Sequence, residues 1–270
     1  VISTGGFSTK NLSIASFDSN LINILTIIFM FFSSVHFGLI YMVFATRSLR
    51  PLNNPVLKFY VLTILIASLL VALSLKMSSA GFTWGDSFMT GIFQVVSFIS
   101  TTGFAISDNN TWPLFACFIT VLISIPCGMA GSTTGGVKSD RMFLIFKTIG
   151  QQIKNSIHPS SINQVHVGNH IMGSNEIYPH FVYFGLYFIT IAASIVLTVL
   201  SGMDIQNAFA SSVSFLSNVG PALEAQGTLG NYNAVPVFAK VVFIIDMFMG
   251  RVEIYPILAV VMMIFTGKKK

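Results

Sequence analysis

A short phrase occurs three times in this chain, and it restricts the possible folds more than any other feature. It reads Ser3-Thr4-Gly5-Gly6-Phe7-Ser8, then Ser100-Thr101-Thr102-Gly103-Phe104-Ala105, then Ser217-Asn218-Val219-Gly220-Pro221-Ala222. The second and third copies extend backwards, with Val96-Ser97-Phe98-Ile99 matching Val213-Ser214-Phe215-Leu216. The aligned glycines stand at 6, 103 and 220, at intervals of 97 and 117 residues. That is far longer than the roughly 20–50 residue period of a solenoid or propeller, so each unit has room for several helices.

Those helices are membrane helices by composition. Hydrophobic residues make up 53% of the chain and charged residues 9%, against the roughly 25% charged share of soluble domains. The chain is therefore expected to be an all-α polytopic membrane protein. Its net charge of +5 is read loop by loop and not as a nucleic-acid signal. Cys117 and Cys127 lie in apolar context and read as small buried residues, with no disulfide or metal role. The chain shows no signal-peptide pattern and starts inside a copy of the phrase. We read it as a fragment, or the ordered part, of a longer protein.

In such a chain the phrase suits a pore-lining loop. An ion crossing hydrocarbon must exchange its water shell for other oxygens, and rings of backbone carbonyls supply them. Irregular backbone is tolerated at membrane depth where it lines a wet cavity. Glycine reaches φ > 0 without strain, so its carbonyl can be turned inward. Two-residue turns between helices could give one such phrase, but not three in one register.

The segments around the phrases repeat. Asn20 to Ala45 is expected as one long apolar helix, and Pro51 and Pro55 then stop the chain near Arg47, Arg50 and Lys58. Val56 to Leu75 supplies the roughly 20 apolar residues a span needs. Asp86 to Ser100 is too short to span and runs into the second phrase, so it reads as a re-entrant half-helix, its acid at the favourable dipole end. Thr111 to Ile125 breaks at Pro126, and Asp140 to Ile153 resumes as a basic helix before a polar loop over 154–175. Ile177 to Leu200 spans again, and Asp204 to Ser217 is a second half-helix. Val235 to Phe265 is a last span interrupted at Gly250-Arg251.

Ten of the 14 Lys and Arg lie opposite the phrases: Arg47, Arg50, Lys58, Lys138, Arg141, Lys147, Lys154 and Lys268–Lys270. The positive-inside rule makes that side cytoplasmic and the phrases outward-facing. Asp18, Asp86, Asp108, Asp204 and Glu224 gather on the outer side, where carboxylates raise local cation concentration.

These residues resemble the Trk/Ktr/HKT superfamily of potassium transporters, in particular its TrkH/KtrB-type membrane subunits, along essentially the whole chain. The resemblance implies M1–pore-helix–M2 units around a pseudo-fourfold, potassium-channel-like pore. It places the end of the second unit in residues 1–50, the third unit in 51–176 and the fourth in 177–270. It implies a K⁺ selectivity filter at Ser3, Thr4, Gly5, Gly6, Thr101, Thr102, Gly103, Phe104, Asn218, Val219, Gly220 and Pro221. Residues 128–138, Gly-Met-Ala-Gly-Ser-Thr-Thr-Gly-Gly-Val-Lys, are similar to the family's intramembrane loop. Gly250-Arg251-Val252-Glu253 is similar to the motif whose arginine lies beside that loop.

The implied gate is then Gly128, Gly131, Ser132, Thr133, Thr134, Gly135, Gly136, Lys138 and Arg251. The residues point the same way. Pro126 and the glycines cannot continue a helix, hydroxyls satisfy the freed backbone, and a mid-helix arginine costing about 2.5–3.5 kcal/mol in hydrocarbon needs a polar cavity. The rival readings are a snorkelling Arg251 and a loop-edge Lys138. Asp246 and Glu253 lack ideal helical spacing to Arg251.

The resemblance implies inward K⁺ movement across a bacterial-type cell membrane. It also implies a homodimer, contact with membrane lipid, and a cytoplasmic TrkA/KtrA-type regulatory ring. It places no cofactor on this chain, and any nucleotide (ATP, ADP or NAD) on the regulatory partner. Symport against channel-like flow stays open. K⁺ against Na⁺ also stays open, because the first filter is absent. Other motifs fall away. Gly131 to Ser139 nearly spells a phosphate loop, but Val137 stands where the motif needs Lys. His166 and His170 flank Gly168 without an acidic partner. His36 fits either the pore or helix packing. An intramembrane enzyme using Asp246 or Ser132 lacks a second carboxylate or a base at workable spacing.

Overall fold

A computed structural model of the chain describes residues 1, 3–6, 8–10, 12–78, 81–158, 165–168, 170–223 and 226–266. The expectations on Phe7, Glu224 and Lys268–Lys270 fall outside the described residues. The chain is mostly helical, with ten α-helices and one small hairpin among the described residues. It is a membrane protein. Among the described residues two helices are each long and apolar enough to cross a bilayer, and two bent pairs qualify if each is one span.

Two stretches of the chain follow one plan. In the first, α3 (Pro55–Met77) is a full-length span, α4 (Trp84–Ile99) a half-helix, and α5 (Leu114–Ile123) and α6 (Ser139–Ile157) follow the second glycine phrase. In the second, α7 (Ser174–Leu200) spans, α8 (Ile205–Leu216) is the half-helix, and α9 (Val237–Val252) and α10 (Ile254–Thr266) follow the third. Before them come α1 (Asn20–Ser34) and α2 (Phe37–Thr46). Helix α3 packs on α4 and α5, and α7 on α8 and α9, so each half-helix lies against the full-length span that precedes it.

Local chemistry fixes where the half-helices start. Thr83 caps α4, its Oγ1 accepting from the Asp86 amide at 3.2 Å while its hydroxyl donates to Asp86 Oδ2 at 2.6 Å, so one backbone donor at the helix start is satisfied by the cap. Asp204 caps α8, accepting from the Gln206 amide at 3.0 Å. Both helices are strongly buried towards their C-terminal ends, where Ser97, Ser100 and Ser217 have no exposed surface.

Three expectations are corrected. The apolar run Asn20 to Ala45 is not one helix: it breaks at Val35–His36 and α1 and α2 meet at 95°. Ser33 and Ser34 leave their carbonyls to a partner outside the helix, and His36 caps α2, its Nδ1 accepting from the Gly38 amide at 2.8 Å. The last span is helical through Gly250 and Arg251 and breaks at Glu253, whose φ of 70° lies in the left-handed region, so α9 and α10 meet at 111°. The stretch 154–175 is not wholly loop. Helix α6 runs on to Ile157, and β1 (Val165–Val167) pairs antiparallel with β2 (His170–Met172), Val165 opposite Met172.

Candidate functional site

The three glycine phrases adopt one backbone conformation. Two residues before each aligned glycine, φ is positive: 49° at Thr4, 52° at Thr101 and 61° at Asn218. The glycines follow at 65°, 73° and 100°. In each copy the left-handed residue's amide donates three residues back, Thr4 to Val1, Thr101 to Phe98 and Asn218 to Phe215, at 2.9, 3.0 and 3.0 Å. Asparagine tolerates this region, but a β-branched threonine there is an outlier. Such strain persists only where the surroundings hold it, and it concentrates at functional sites.

The turns also meet. A Cβ added to Gly6 would lie 2.6 Å from the Thr102 carbonyl oxygen, and one added to Gly103 would lie 2.3 Å from that of Val219. Neither position admits a side chain, so the three turns stand side by side in chain order. Above them is a polar cavity of about 360 Å³, lined by Gly5, Gly6, Gly103, Val219, Gly220 and Pro221 together with Lys10, Thr228 and Tyr232. Helices α4 and α8 both end at these turns, which aims the negative ends of two helix dipoles at the same place.

Half-helix serines whose role the sequence did not single out tie down the turns. Ser97 Oγ donates to the Phe104 carbonyl at 2.6 Å, and Ser214 Oγ donates to that of Pro221 at 2.5 Å. Each is the residue after the aligned glycine, and Ser97 and Ser214 are equivalent in the repeat. That equivalence was readable, but the role of the hydroxyl was not. Beside the cavity Asn109 and Thr228 clasp one another. The Thr228 amide donates to Asn109 Oδ1 at 3.0 Å, and the Asn109 amide donates to Thr228 Oγ1 at 3.1 Å.

The glycine-rich loop between α5 and α6 lies directly against all three turns. Thr4 Oγ1 donates to the Thr133 carbonyl at 2.9 Å, and the Gly135 amide donates to Thr101 Oγ1 at 3.3 Å. A Cβ on Gly135 would come within 2.6 Å of the Ser217 carbonyl oxygen. The loop is anchored on the break between α1 and α2. Met129 N donates to Ser34 O at 2.9 Å, Thr133 Oγ1 to Ser33 O at 3.1 Å, and Phe37 N to Gly131 O at 3.2 Å. The His36 ring crowds Gly131, where a Cβ would meet Nε2 at 2.9 Å. Gly128 is as tight, with the Ser34 carbonyl oxygen 2.7 Å from a Cβ position, and Gly136 faces the Cys127 sulfur. Ser132 Oγ pairs with Thr134 Oγ1 at 2.8 Å.

Two cations join the loop. Arg251, on the last turn of α9, donates through Nη1 to the Thr133 carbonyl, the same oxygen that Thr4 holds. Lys138 is only 8% exposed and its ammonium donates to the Thr134 carbonyl and hydroxyl, so it sits inside the loop and not at a solvated edge. The acids near Arg251 turn elsewhere. Glu253 pairs with Arg141 at 2.7 Å, and Asp246 accepts from Ser194. Gly250 is needed where α9 crosses the third phrase, since a Cβ there would overlap the Leu216 carbonyl oxygen at 1.9 Å.

The family model for TrkH, described as a cation transport protein, matches residues 1–268. The chain belongs to the TrkH family. It is 31% identical over 262 residues to the Trk system potassium uptake protein TrkH of Escherichia coli K12, covering 95% of this chain and 53% of that protein. It is 30% identical over 261 residues to TrkG of the same organism, with the same coverage. Its fold is similar to the crystal structure of the potassium transporter TrkH from Vibrio parahaemolyticus, with a TM-score of 0.89 at 29% identity over 96% of this chain and 56% of that one. The chain thus spans about half the length of the TrkH relatives it matches.

Proposed function

We propose that this chain forms the filter-and-gate part of a membrane subunit that takes up potassium. The observation that carries the reading is the stacking of three conformationally equivalent glycine turns between a polar cavity and a loop tied to Arg251. The filter is formed by Ser3, Thr4, Gly5, Gly6, Thr101, Thr102, Gly103, Phe104, Asn218, Val219, Gly220 and Pro221, with main-chain oxygens replacing the ion's water. The gate is the loop residues Gly128, Gly131, Ser132, Thr133, Thr134, Gly135, Gly136 and Lys138, closed by Arg251. A guanidinium bound under the filter repels an arriving cation, and the loop's bulk excludes water.

On this reading residues 1–50, 51–176 and 177–270 are the end of one repeat unit and two complete ones. The glycine turns face outward and the Lys- and Arg-rich side faces the cytoplasm of a cell membrane. A second copy, membrane lipid and a cytoplasmic regulatory ring complete the assembly, with any nucleotide held by that ring. The relatives are potassium uptake proteins of the Trk system, which supports the substrate.

The test is ion flux through the full-length protein in liposomes without its regulator. Wild type is expected to pass K⁺ and Rb⁺ in preference to Na⁺. Arg251→Ala is expected to raise basal flux about ten- to hundredfold, the factor for one lost hydrogen bond to a charged group. Equal passage of Na⁺ would replace the potassium reading with a Na⁺-permeable carrier, and unchanged flux in Arg251→Ala would remove the gate.

A further inference from the structure

The three turns are alike in backbone but not in what holds the glycine carbonyl. At the third phrase the Tyr232 hydroxyl donates to the Gly220 carbonyl at 2.8 Å. Among the described residues neither the Gly6 nor the Gly103 carbonyl accepts a side-chain hydrogen bond. Gly220 shares the positive φ of the other two glycines, at 100° against 65° and 73°. Tyr232 is itself fixed. Its ring lies 4.9 Å from that of Phe215 on α8 and 6.4 Å from that of Phe243 on α9, and those two rings stack at 4.6 Å. Tyr232 and Gly220 both line the polar cavity over the turns.

We propose that Tyr232 is a specificity-determining positioning residue that sets ion discrimination at this turn through the Gly220 carbonyl. The inference rests on the potassium reading above and concerns only how the ion is chosen. Two physical effects act in the same direction. A carbonyl oxygen already accepting a phenolic proton presents a weaker field to an ion, and weaker-field oxygens favour a larger, more easily dehydrated cation. An anchored carbonyl also cannot close in on a smaller one. Cavity size and the number and field strength of coordinating carbonyls are the two competing accounts of K⁺/Na⁺ selection in carbonyl-lined filters, and an anchored, weakened oxygen acts on both. Tyr232 needs no contact with the ion, since it acts through the oxygen it holds.

The experiment is Tyr232→Phe in the full-length protein, reconstituted in liposomes, with the K⁺/Na⁺ permeability ratio read from the reversal potential under opposed K⁺ and Na⁺ solutions. Phenylalanine keeps the ring packing and removes only the donor. The expected result is a ratio lowered about two- to tenfold, the factor corresponding to one neutral hydrogen bond, with the melting temperature of the purified protein close to that of wild type. An unchanged ratio in folded protein overturns the proposal. Where Tyr232→Phe does not fold, 3-fluorotyrosine at 232 preserves the shape and strengthens the donor, and the ratio is expected to rise; no change again overturns it. Wild-type protein that passes no K⁺ removes the potassium reading and this inference with it. Wild-type K⁺ flux with an indifferent Tyr232 removes this inference alone.

Discussion

Thr4, Thr101 and Asn218 are held in left-handed conformations, and each is followed two residues later by a glycine with positive φ. Alternation of this kind turns successive carbonyls out of a regular helix or strand, and it is stable only because other groups hold it. Ser97 and Ser214 fix the carbonyl beyond the glycine, and the loop between α5 and α6 holds Thr4 and Thr101 from below. The glycines contribute closeness as much as freedom. Gly103→Ala is expected to force the Val219 carbonyl away, since the added carbon would sit 2.3 Å from it, and so to abolish K⁺ preference in a reversal-potential measurement. Gly81 makes the comparison clean. Its φ is 75° but nothing lies within 4 Å of its Cβ position. Gly81→Ala should cost only about 1–2 kcal/mol of local backbone energy, lowering the melting temperature and leaving the permeability ratio alone.

At the scale of elements, the half-helices were legible and the breaks were not. Asp86 and Asp204 mark N-termini by chemistry within three residues, so the starts of α4 and α8 follow from local sequence. The break after Ser34 has a local part, the His36 ring capping α2, which nothing in the flanking apolar run announces. Its other part is distant, since the Ser33 and Ser34 carbonyls accept from Thr133 and Met129, about a hundred residues on. Glu253 leaves the helix for a pairing with Arg141, 112 residues away in sequence. Asp246 shows a third case of long-range satisfaction. It is 3% exposed, accepts from Ser194 on α7, and Ser194 reaches Ser212 on α8 at 2.9 Å. That cluster joins the half-helix to both flanking helices. Asp246→Ala should lower stability by about 1–3 kcal/mol by stranding its buried partners, while Asp246→Asn, which keeps an acceptor, should lose less; thermal melts of the two variants give the comparison.

For the molecule as a whole, Lys and Arg asymmetry sets the expected orientation, with the glycine turns outside. Cys117 and Cys127 are both buried free thiols, so neither competes with an introduced surface cysteine for an impermeant reagent. Asn110→Cys, beyond the second phrase, is expected to react with a membrane-impermeant thiol reagent added outside cells, and Lys154→Cys on α6 only after the membrane is opened. The reverse pattern would invert the orientation and with it the direction of the gate. Composition, the triple phrase and the capping acids determined a helical membrane chain, its half-helices and the residues of the candidate filter, because hydropathy, glycine conformation and caps act within a few positions. Tertiary structure alone decided that the three turns abut, that two spans bend and that Arg251 and Thr4 share one carbonyl. It also decided that Tyr232 holds Gly220. Each of these depends on a hydrogen bond or close approach between segments distant in sequence or across a turn, and hydrophobic periodicity carries no record of which carbonyl a distant donor will find.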